Sequence, residues 1–373
     1  MPPETPHPAL RWDIFCRVID NFGDLGVCWR LACDLAGRGQ VVRLWADDVS
    51  ALAWMAPQGA SGVEVKAWAA PIDMTGITPG EVILEAFGCE IDEEFIAGYA
   101  RNLRNRGQKC AWINLEYLSA ENFSARCHGL PSPVMSGPGR GLTKHFFYPG
   151  FTAETGGLLR EPELLARQAR FDRKAWLDDV GLPWQGERLV SLFCYEPAGL
   201  GGVLRSLASS AQASCLLVTP GRATVAVRAE IAKMKTLDRL WNQRSVLSVF
   251  YLPQLSQNGF DHLLWASDVN FVRGEDSLVR ALWAGKPLVW HIYPQHDGVH
   301  ALKLQAFLDW LQAPASLRAF HRRWNGLDAP GPALPDAPFE PELWQDCMAQ
   351  ARAKLREQED LSTQLLSFIA KIL

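Results

Sequence analysis

The sequence predicts a protein of the α/β class that is built from two domains of similar size. Two runs of alternating strand and helix patterns, separated by a weaker pattern at residues 149–184, are typical of parallel sheets covered by helices. The length of 373 residues also suggests roughly two domains. With 48% hydrophobic and 21% charged residues, the chain has enough apolar side chains to fill two cores.

The first alternation starts with a β-rich run at residues 12–19, followed by a turn with two glycines and a helical pattern at residues 27–36. A Gly-Arg-Gly run at residues 37–39 ends this helix. The later elements of this half are recognised by short apolar runs or by helical periodicity. They are strands at residues 41–45, 63–68, 82–87 and 109–114, and a helix at residues 92–104.

The second alternation follows the weaker stretch. Its predicted strands are residues 188–194, 214–219, 245–251, 269–272 and 287–291, and its predicted helices are residues 201–211, 222–234, 260–266, 277–284 and 301–311. Residues 326–338, rich in Pro, Gly and Ala, predict a loop. The domains are therefore expected at residues 1–165 and 166–340, followed by a helical segment at residues 341–373 that could pack back on the first domain.

Functional residues are expected at the ends of the predicted strands. Ligands of open α/β sheets bind at the carboxyl ends of strands, and pockets are frequent where two domains meet. The loops of interest are those that follow residues 19, 87, 194, 251, 272 and 291.

The bulk composition disfavours several classes of protein. A formal net charge of -4 leaves no broad basic surface for nucleic acid. Nine cysteines, an odd number without a C-x-x-C pair, predict reduced thiols in a cytoplasmic protein. The N-terminus has no apolar signal-peptide region, and no stretch approaches about 18 uncharged apolar residues, so neither export nor a membrane span is expected.

The most informative segment is residues 267–290, which reads as strand, acidic turn, helix, Gly-Lys-Pro turn and strand. Asp276 or Ser277 is predicted to cap the helix, whose free N–H groups and dipole favour a diphosphate. Arg273 can add a charge-assisted bond to the phosphates, and Glu275 can accept bonds from sugar hydroxyls. An ordinary capped helix with solvated charges is the alternative. The order of elements resembles the donor-binding segment of GT-B glycosyltransferases.

Aromatic and amide side chains follow neighbouring strand ends in this half. An aromatic ring can stack on a pyrimidine base, and a glutamine amide can pair with the edge of the base. The candidates are Phe193, Tyr195, Phe250, Tyr251, Gln254, Gln257 and Tyr293. Each of them alone is more often a core or surface residue, and their convergence at equivalent strand ends favours a ligand site.

No metal and no cofactor are expected. The sequence lacks the Asp-x-Asp triplet with which GT-A transferases hold a divalent cation on the diphosphate. Arg273 and the helix N-terminus would then neutralise the leaving group. The spacing of His291, His296 and His300 allows metal ligation, although pocket or core histidines are the favoured interpretation.

The first half offers two carboxylates, Asp20 and Asp24, in the turn between the first strand and the first helix. An inverting transfer needs one base to deprotonate the acceptor while the diphosphate leaves from the opposite face. The alternative is a turn in which Asp24 caps the helix. Residues 114–121 also follow a strand and could contact an acceptor.

Residues 15–32, FCRVIDNFGDLGVCWRLA, resemble the opening of the elongation factor P arginine rhamnosyltransferases. Further landmarks that resemble this family lie at residues 114–121, 146–151, 193–195 and 273–277, so the resemblance spans nearly the whole chain. The opening motif is highly specific, whereas the late motif is shared in outline with other GT-B enzymes.

The resemblance implies a GT-B fold, with two Rossmann-like domains facing each other across a cleft. It also implies an inverting, metal-independent transfer of rhamnose from dTDP-β-L-rhamnose to an arginine in the N-terminal domain of elongation factor P. Asp20 and Asp24 would be the catalytic carboxylates, and Glu275 the essential acidic residue of the donor loop. A guanidinium keeps its proton at neutral pH, so two carboxylates could orient it and take a proton as the bond forms.

Donor contacts are assigned to residues that match the donor-contacting positions of the family, together with part of the opening loop. They are Phe193, Tyr195, Gln257, Arg273, Glu275, Asp276, Ser277 and Tyr293, and in the opening loop Asn21, Phe22 and Gly23. The expected partners are dTDP-rhamnose and elongation factor P, with no nucleic acid and no membrane.

Two other functions remain open at this point. A GT-B enzyme with a lipid or glycan acceptor would use a basic segment such as residues 99–106 at a membrane, although a solvated helix face explains that segment more simply. A non-enzymatic nucleotide-binding partner of the translation machinery would make Asp20 dispensable.

Overall fold

The computed structural model describes residues 9–19, 22–106, 110–243, 246–294, 298–328 and 339–373. The strands in these parts are β1 (Arg11–Cys16), β2 (Val41–Ala46), β3 (Val63–Ala67), β4 (Val82–Ala86), β5 (Ala111–Leu115), β6 (Pro131–Pro133), β7 (Thr143–Phe147), β8 (Arg188–Leu192), β9 (Ser214–Val218), β10 (Leu247–Tyr251), β11 (Val269–Arg273) and β12 (Leu288–His291). The helices are α1 (Gly23–Gly37), α2 (Leu52–Met55), α3 (Glu93–Arg106), α4 (Asn122–Cys127), α5 (Leu164–Ala169), α6 (Arg173–Asp179), α7 (Leu200–Ser209), α8 (Arg222–Leu237), α9 (Gln257–Ala266), α10 (Gly274–Ala284), α11 (Val299–Trp310), α12 (Ala315–Trp324), α13 (Gln345–Arg356) and α14 (Leu361–Ile372), with a 3-10 turn at Pro341–Trp344.

The chain divides into two compact units. Unit 1 comprises Met1–Pro162 and Glu357–Leu373, and unit 2 comprises Glu163–Arg356. The helical segment that the sequence predicts at residues 341–373 is thus shared between the units, because α13 belongs to unit 2 and α14 to unit 1.

Unit 1 contains a seven-stranded sheet in the order β3-β2-β1-β4-β5-β7-β6. All pairs are parallel except that of β6 with β7. The central strands β4 and β5 are buried along their whole length, as expected for a parallel sheet with both faces covered. One core contains apolar residues of α1 and α14, and the second contains residues of α3.

The C-terminal helix α14 is an integral part of unit 1. Its N-cap Asp360 accepts a hydrogen bond from the backbone N–H of Thr363 at 3.0 Å. The guanidinium of Arg38, at the end of α1, donates to Asp34 at 3.1 Å and to Asp360 at 2.7 Å. Leu365 of α14 is fully buried in the same core. Ion pairs and apolar packing therefore hold together segments more than 300 positions apart in the chain.

Unit 2 contains a five-stranded parallel sheet in the order β10-β9-β8-β11-β12. The chain runs outward from β8 to β10 and then returns to the other side of β8 to form β11 and β12. The strand order therefore reverses between β8 and β11. In open α/β sheets, ligands bind outside the carboxyl ends of the strands at such a switch point.

The α/β class is confirmed, and the principal differences from the sequence prediction concern helix starts and short elements. α1 begins at residue 23 instead of 27, and α10 at residue 274 instead of 277. The strands β6 and β7 and the helices α2, α4, α5, α6 and α12 were not predicted. All of these elements except α12 are short, so their local pattern is weak and tertiary packing decides their conformation. α12 does carry helical periodicity, because its buried residues Leu317, Phe320, His321 and Trp324 follow the spacing of one helix face, although the sequence prediction did not include it.

The nine cysteines are all free, and five of them, Cys16, Cys28, Cys89, Cys194 and Cys215, are buried. Within the described parts of the chain, none of the helices combines the length and apolarity needed to cross a lipid bilayer. The loop predicted at residues 326–338 lies outside the described residues from position 329 onward.

Candidate active site

Strand β11 passes directly into α10 at Gly274, next to the switch point of unit 2. Gly274 has a φ of +69°, a left-handed conformation that favours glycine. The N-cap is Arg273, which makes no side-chain cap bond, so the prediction that Asp276 or Ser277 caps the helix is wrong. Ser277 Oγ instead accepts a bond from the Arg273 N–H at 3.1 Å, and Glu275 and Asp276 lie in the first turn.

The guanidinium of Arg273 lies against two aromatic rings of the loop that follows β8. Its Cζ is 4.4 Å from the ring centroid of Phe193 and 4.6 Å from that of Tyr195. Nη1 donates to the carbonyl oxygen of Cys194 at 3.3 Å. Arg273 forms no ion pair with any residue that the structure describes. Burial lowers the pKa of Arg273, so a bound anion would stabilise its charged form.

A second arginine, Arg222, lies beside the same tyrosine. It is the first residue of α8, and its Cζ is 4.9 Å from the ring centroid of Tyr195. Its guanidinium pairs with Glu196 at 2.5 Å, and this bond lowers the pKa of Glu196. The nearby positive charge of Arg222 also lowers the pKa of Arg273. Two cations therefore converge at the switch point, and sequence reasoning missed Arg222 and Glu196.

The edge strand β12 holds both loops of the switch point. The indole Nε1 of Trp290 donates to the carbonyl oxygen of Gly274 at 2.8 Å. His291 Nδ1 accepts a bond from the N–H of Tyr195 at 3.3 Å, and the two rings pack edge to face at 5.1 Å. The ring of Tyr293 packs edge to face with that of Tyr195 at 5.7 Å. We refer to Phe193, Tyr195, Arg222, Arg273 and His291 as the switch-point cluster.

Side chains of α12 and of its C-cap residue Asn325 satisfy the outer edge of β12. The N–H of Trp290 donates to His321 Nε2 at 3.0 Å. The amide of Asn325 accepts from the N–H of Ile292 at 2.9 Å and donates to the carbonyl oxygen of Trp290 at 2.9 Å. His321 Nδ1 lies 3.0 Å from the carbonyl oxygen of Leu317. These bonds replace the strand partner that an edge strand lacks, and they require a neutral His321.

Acidification is expected to destabilise unit 2 through its buried histidines. Burial lowers the pKa of both His291 and His321 to about 4, whereas an unfolded histidine titrates near 6.5. The unfolded chain therefore binds more protons between these values, so stability is retained above pH ~6.5 and lost as pH falls toward ~4. The loss is on the order of 3 kcal/mol for each imidazole. Urea unfolding at several pH values would measure it.

A His321→Gln variant separates this effect from other titrations, because glutamine can accept the Trp290 N–H but does not titrate. Burial raises the pKa of Asp34 and Glu85, so these carboxyls increase the free energy of unfolding as pH falls. Their contribution is the same in the wild type and in the variant. The stability of the variant should depend less steeply on pH than that of the wild type. Equal slopes would show that His321 does not titrate as described.

Glu275 is held by a lysine of α11. Lys303 Nζ lies 2.5 Å from Glu275 Oε1, and the two side chains are 19% and 20% exposed. The sequence assigned Glu275 to the site, but it gave no signal for Lys303, which lies 28 positions away in the middle of a helix.

Gln257 is the first residue of α9 and is half-buried. Ser256 caps this helix through a bond from the Gly259 N–H at 3.1 Å. Phe260, one turn along α9, packs edge to face with Phe193 at 5.3 Å between ring centroids. The N-terminal turn of α9 is thereby joined to the switch-point cluster.

In unit 1, Asp20 and Asn21 lie outside the described residues. Phe22 is the N-cap of α1, is 39% exposed and packs edge to face with Trp54 at 6.1 Å. Asp24 is half-buried in the first turn of α1. α1 has no side-chain cap, so the alternative in which Asp24 caps this helix is wrong, although a carboxylate there suits the helix dipole.

The described residues contain no group of three or more His, Cys, Asp and Glu side chains placed to hold a metal ion. His296, one of the three histidines considered as ligands, lies outside them.

The family model described as Elongation-Factor P (EF-P) rhamnosyltransferase EarP matches residues 12–370. Relatives named protein-arginine rhamnosyltransferase include those of Pseudomonas putida, 42% identical over 96% of this chain and 98% of the relative, and Pseudomonas aeruginosa, 41% identical over the same shares. A Neisseria meningitidis relative of that name is 35% identical over 97% of this chain and 94% of its own length.

Solved structures agree with this relationship. One describes the structural basis for EarP-mediated arginine glycosylation of translation elongation factor EF-P; it is 31% identical, with a TM-score of 0.62 over 98% of this chain and all of the other. A glycosyltransferase from Rickettsia africae, 7% identical with a TM-score of 0.53 over 98% and 99% of the two chains, shares the fold alone. The chain is therefore a glycosyltransferase with two Rossmann-like units of the GT-B type, and it belongs to the EarP family of elongation factor P rhamnosyltransferases.

Proposed function

We propose that this enzyme transfers rhamnose from dTDP-β-L-rhamnose to an arginine side chain of elongation factor P, with inversion at the sugar carbon. The observation that carries the donor half is Arg273. Its partly buried guanidinium rests on two aromatic rings at the switch point and forms no ion pair with a described residue. A diphosphate would supply the missing negative charge through charge-assisted hydrogen bonds.

The first turn of α10 supplies the rest of the diphosphate site. Free N–H groups at a helix N-terminus bind anions. Because Gly274 lets β11 turn directly into α10, no intervening loop covers the N–H groups of the first turn. Arg222 is placed to assist Arg273, since both guanidinium groups contact Tyr195. We assign Phe193, Tyr195, Gln257, Asp276, Ser277 and Tyr293 to the nucleotide and the sugar, and Glu275 to the sugar hydroxyls.

The opening loop of unit 1 supplies the acceptor chemistry in this proposal. An arginine Nη attacks the sugar carbon C1, the C1–O bond to the diphosphate breaks, and dTDP leaves with the bonding electrons. A proton leaves the guanidinium for Asp20 or Asp24, because the substituted nitrogen would otherwise carry an additional charge. Asn21, Phe22 and Gly23 join the donor contacts at this loop, and no metal ion is required.

Elongation factor P is proposed as the acceptor because of the family description and because a related solved structure concerns arginine glycosylation of this factor. Its N-terminal domain is proposed as the part that is modified. Since elongation factor P acts on ribosomes, a cytoplasmic location follows from the same proposal.

The purified enzyme is expected to add one deoxyhexose to elongation factor P when it is given dTDP-rhamnose without added metal. Intact-mass spectrometry would detect the product. The control is elongation factor P in which lysine replaces the target arginine. Asp20→Asn should slow transfer by roughly 10²–10⁴-fold, the usual contribution of a general base. Unchanged turnover in Asp20→Asn, or a reaction abolished by EDTA, would contradict the mechanism.

A further inference from the structure

The pair formed by Lys303 and Glu275 is the tightest lysine–carboxylate contact at the candidate donor site. Nζ and Oε1 are 2.5 Å apart, and both side chains are about four-fifths buried. Lys303 lies on α11, whereas Glu275 lies in the first turn of α10. A buried pair of this kind is screened less by salt than a surface pair, so each charge acts strongly on the other.

The location of Glu275 poses an electrostatic problem. Arg273 and the N-terminus of α10 attract an anion, but Glu275 and Asp276 place two negative charges in the same first turn. A carboxylate next to a diphosphate raises the energy of the bound complex, because like charges repel at short range. A cation in contact with Glu275 removes most of that repulsion.

We propose that Lys303 is a positioning residue of the donor site, which compensates the charge of Glu275 and fixes the orientation of its carboxylate toward a diphosphate-linked sugar. The inference rests on the proposed function, because it takes the ligand to be a nucleoside diphosphate sugar. Glu275 can then accept hydrogen bonds from the sugar without weakening the binding of the diphosphate.

Apolar packing holds α11 in place. The buried residues of this helix are Leu304, Phe307 and Leu308, which contribute apolar surface to the core. Replacing Lys303 with methionine keeps a flexible side chain of similar length and removes only the charge. The variant should therefore fold, and its melting temperature provides the check.

The test is a double-mutant cycle on the affinity for dTDP, measured by titration calorimetry. Lys303→Met should weaken dTDP binding about tenfold, because a cation in contact with Glu275 is lost. Glu275→Gln should bind dTDP at least as tightly as the wild type, since it leaves Lys303 as an additional cation. The double variant should return to within about threefold of the wild type.

These results would differ from those of a purely structural pair. If the pair only stabilised the fold, both single variants would bind dTDP more weakly, and the double variant would be no better than either. In transfer assays, Lys303→Met should raise KM for the donor more than it lowers kcat. Lys303→Arg keeps the positive charge, so its KM for the donor should be close to that of the wild type.

A matched control is Lys174→Met, which removes the lysine of another lysine–carboxylate pair of unit 2. Lys174 Nζ lies 2.7 Å from Asp178 Oδ2, and both side chains are well exposed. This variant should leave dTDP binding unchanged. If Lys303→Met bound dTDP as tightly as the wild type, or if the double variant bound dTDP as weakly as Lys303→Met, the proposed role of Lys303 would be wrong. The proposed donor site itself would not be affected by these results. A wild-type enzyme that does not bind dTDP would instead overturn the proposed donor site.

Discussion

Replacing Arg273 with methionine is expected to abolish most transferase activity while leaving the fold in place. In the proposed site, this guanidinium carries the charge that stabilises the departing diphosphate. Loss of one such preorganised donor typically costs roughly 10²–10³-fold in rate. The measurement is kcat/KM for the donor, together with the affinity for dTDP.

The stability of the Arg273→Met variant should change little. The guanidinium forms no ion pair with a described residue, so its removal leaves no carboxylate without a partner. The two lost ring contacts are worth about 0.5–2 kcal/mol each, and relief of the partly buried charge offsets part of that. Arg273→Lys should recover some activity, because it keeps the charge without the planar fork. Near-normal kcat/KM in Arg273→Met would remove this residue from the donor site.

Replacing Arg280 with methionine should have the opposite effect, a large loss of stability. Arg280 and Asp261 are each 1% exposed, and the guanidinium forms two bonds to the carboxylate, at 2.9 and 2.7 Å. Removing the arginine takes away both of these bonds from a buried carboxylate, which also lies 3.6 Å from the guanidinium of Arg167. Breaking such a buried pair costs about 3–5 kcal/mol. Urea unfolding of the two proteins would give the difference.

The double variant Arg280→Met/Asp261→Leu is the control for this explanation. Replacing both partners by apolar residues removes the uncompensated charge, so much of the lost stability should return. If the double variant were as unstable as Arg280→Met, lost packing of the long arginine side chain would explain the result instead.

The contrast between Arg273 and Arg280 shows which residue roles can be predicted from the local sequence and which cannot. Both arginines belong to one strand–helix unit and are seven positions apart. Arg273 lies at the end of an apolar strand, and the acidic turn and helix that follow it predicted a ligand-binding role. Nothing in the local sequence shows that Arg280 pairs with Asp261 on the preceding helix α9, which makes it a structural residue.

Sequence patterns determined the class of the fold and most of its framework. Apolar runs and helical periodicity predicted most strands of the two sheets and most of the longer helices that cover them, since these signals depend on neighbours in the chain. The position of β11 directly before a helix predicted the turn at which the diphosphate is proposed to bind. The opening motif at residues 15–32 indicated the family, which the comparisons confirm. The catalytic roles of Asp20 and Asp24 stay predictions.

Only the tertiary structure decided which distant residues complete the site and the units. Arg222 and Lys303 join the residues around Arg273 from two different elements, and no local pattern marks them. His291 was predicted as a pocket or core histidine, but its contact with Tyr195 depends on the fold. The return of α14 to unit 1 depends on the bond from Arg38 to Asp360, across 322 positions. Periodicity records which face of an element is apolar, whereas the choice of partner depends on charge pairing and packing after the chain has folded.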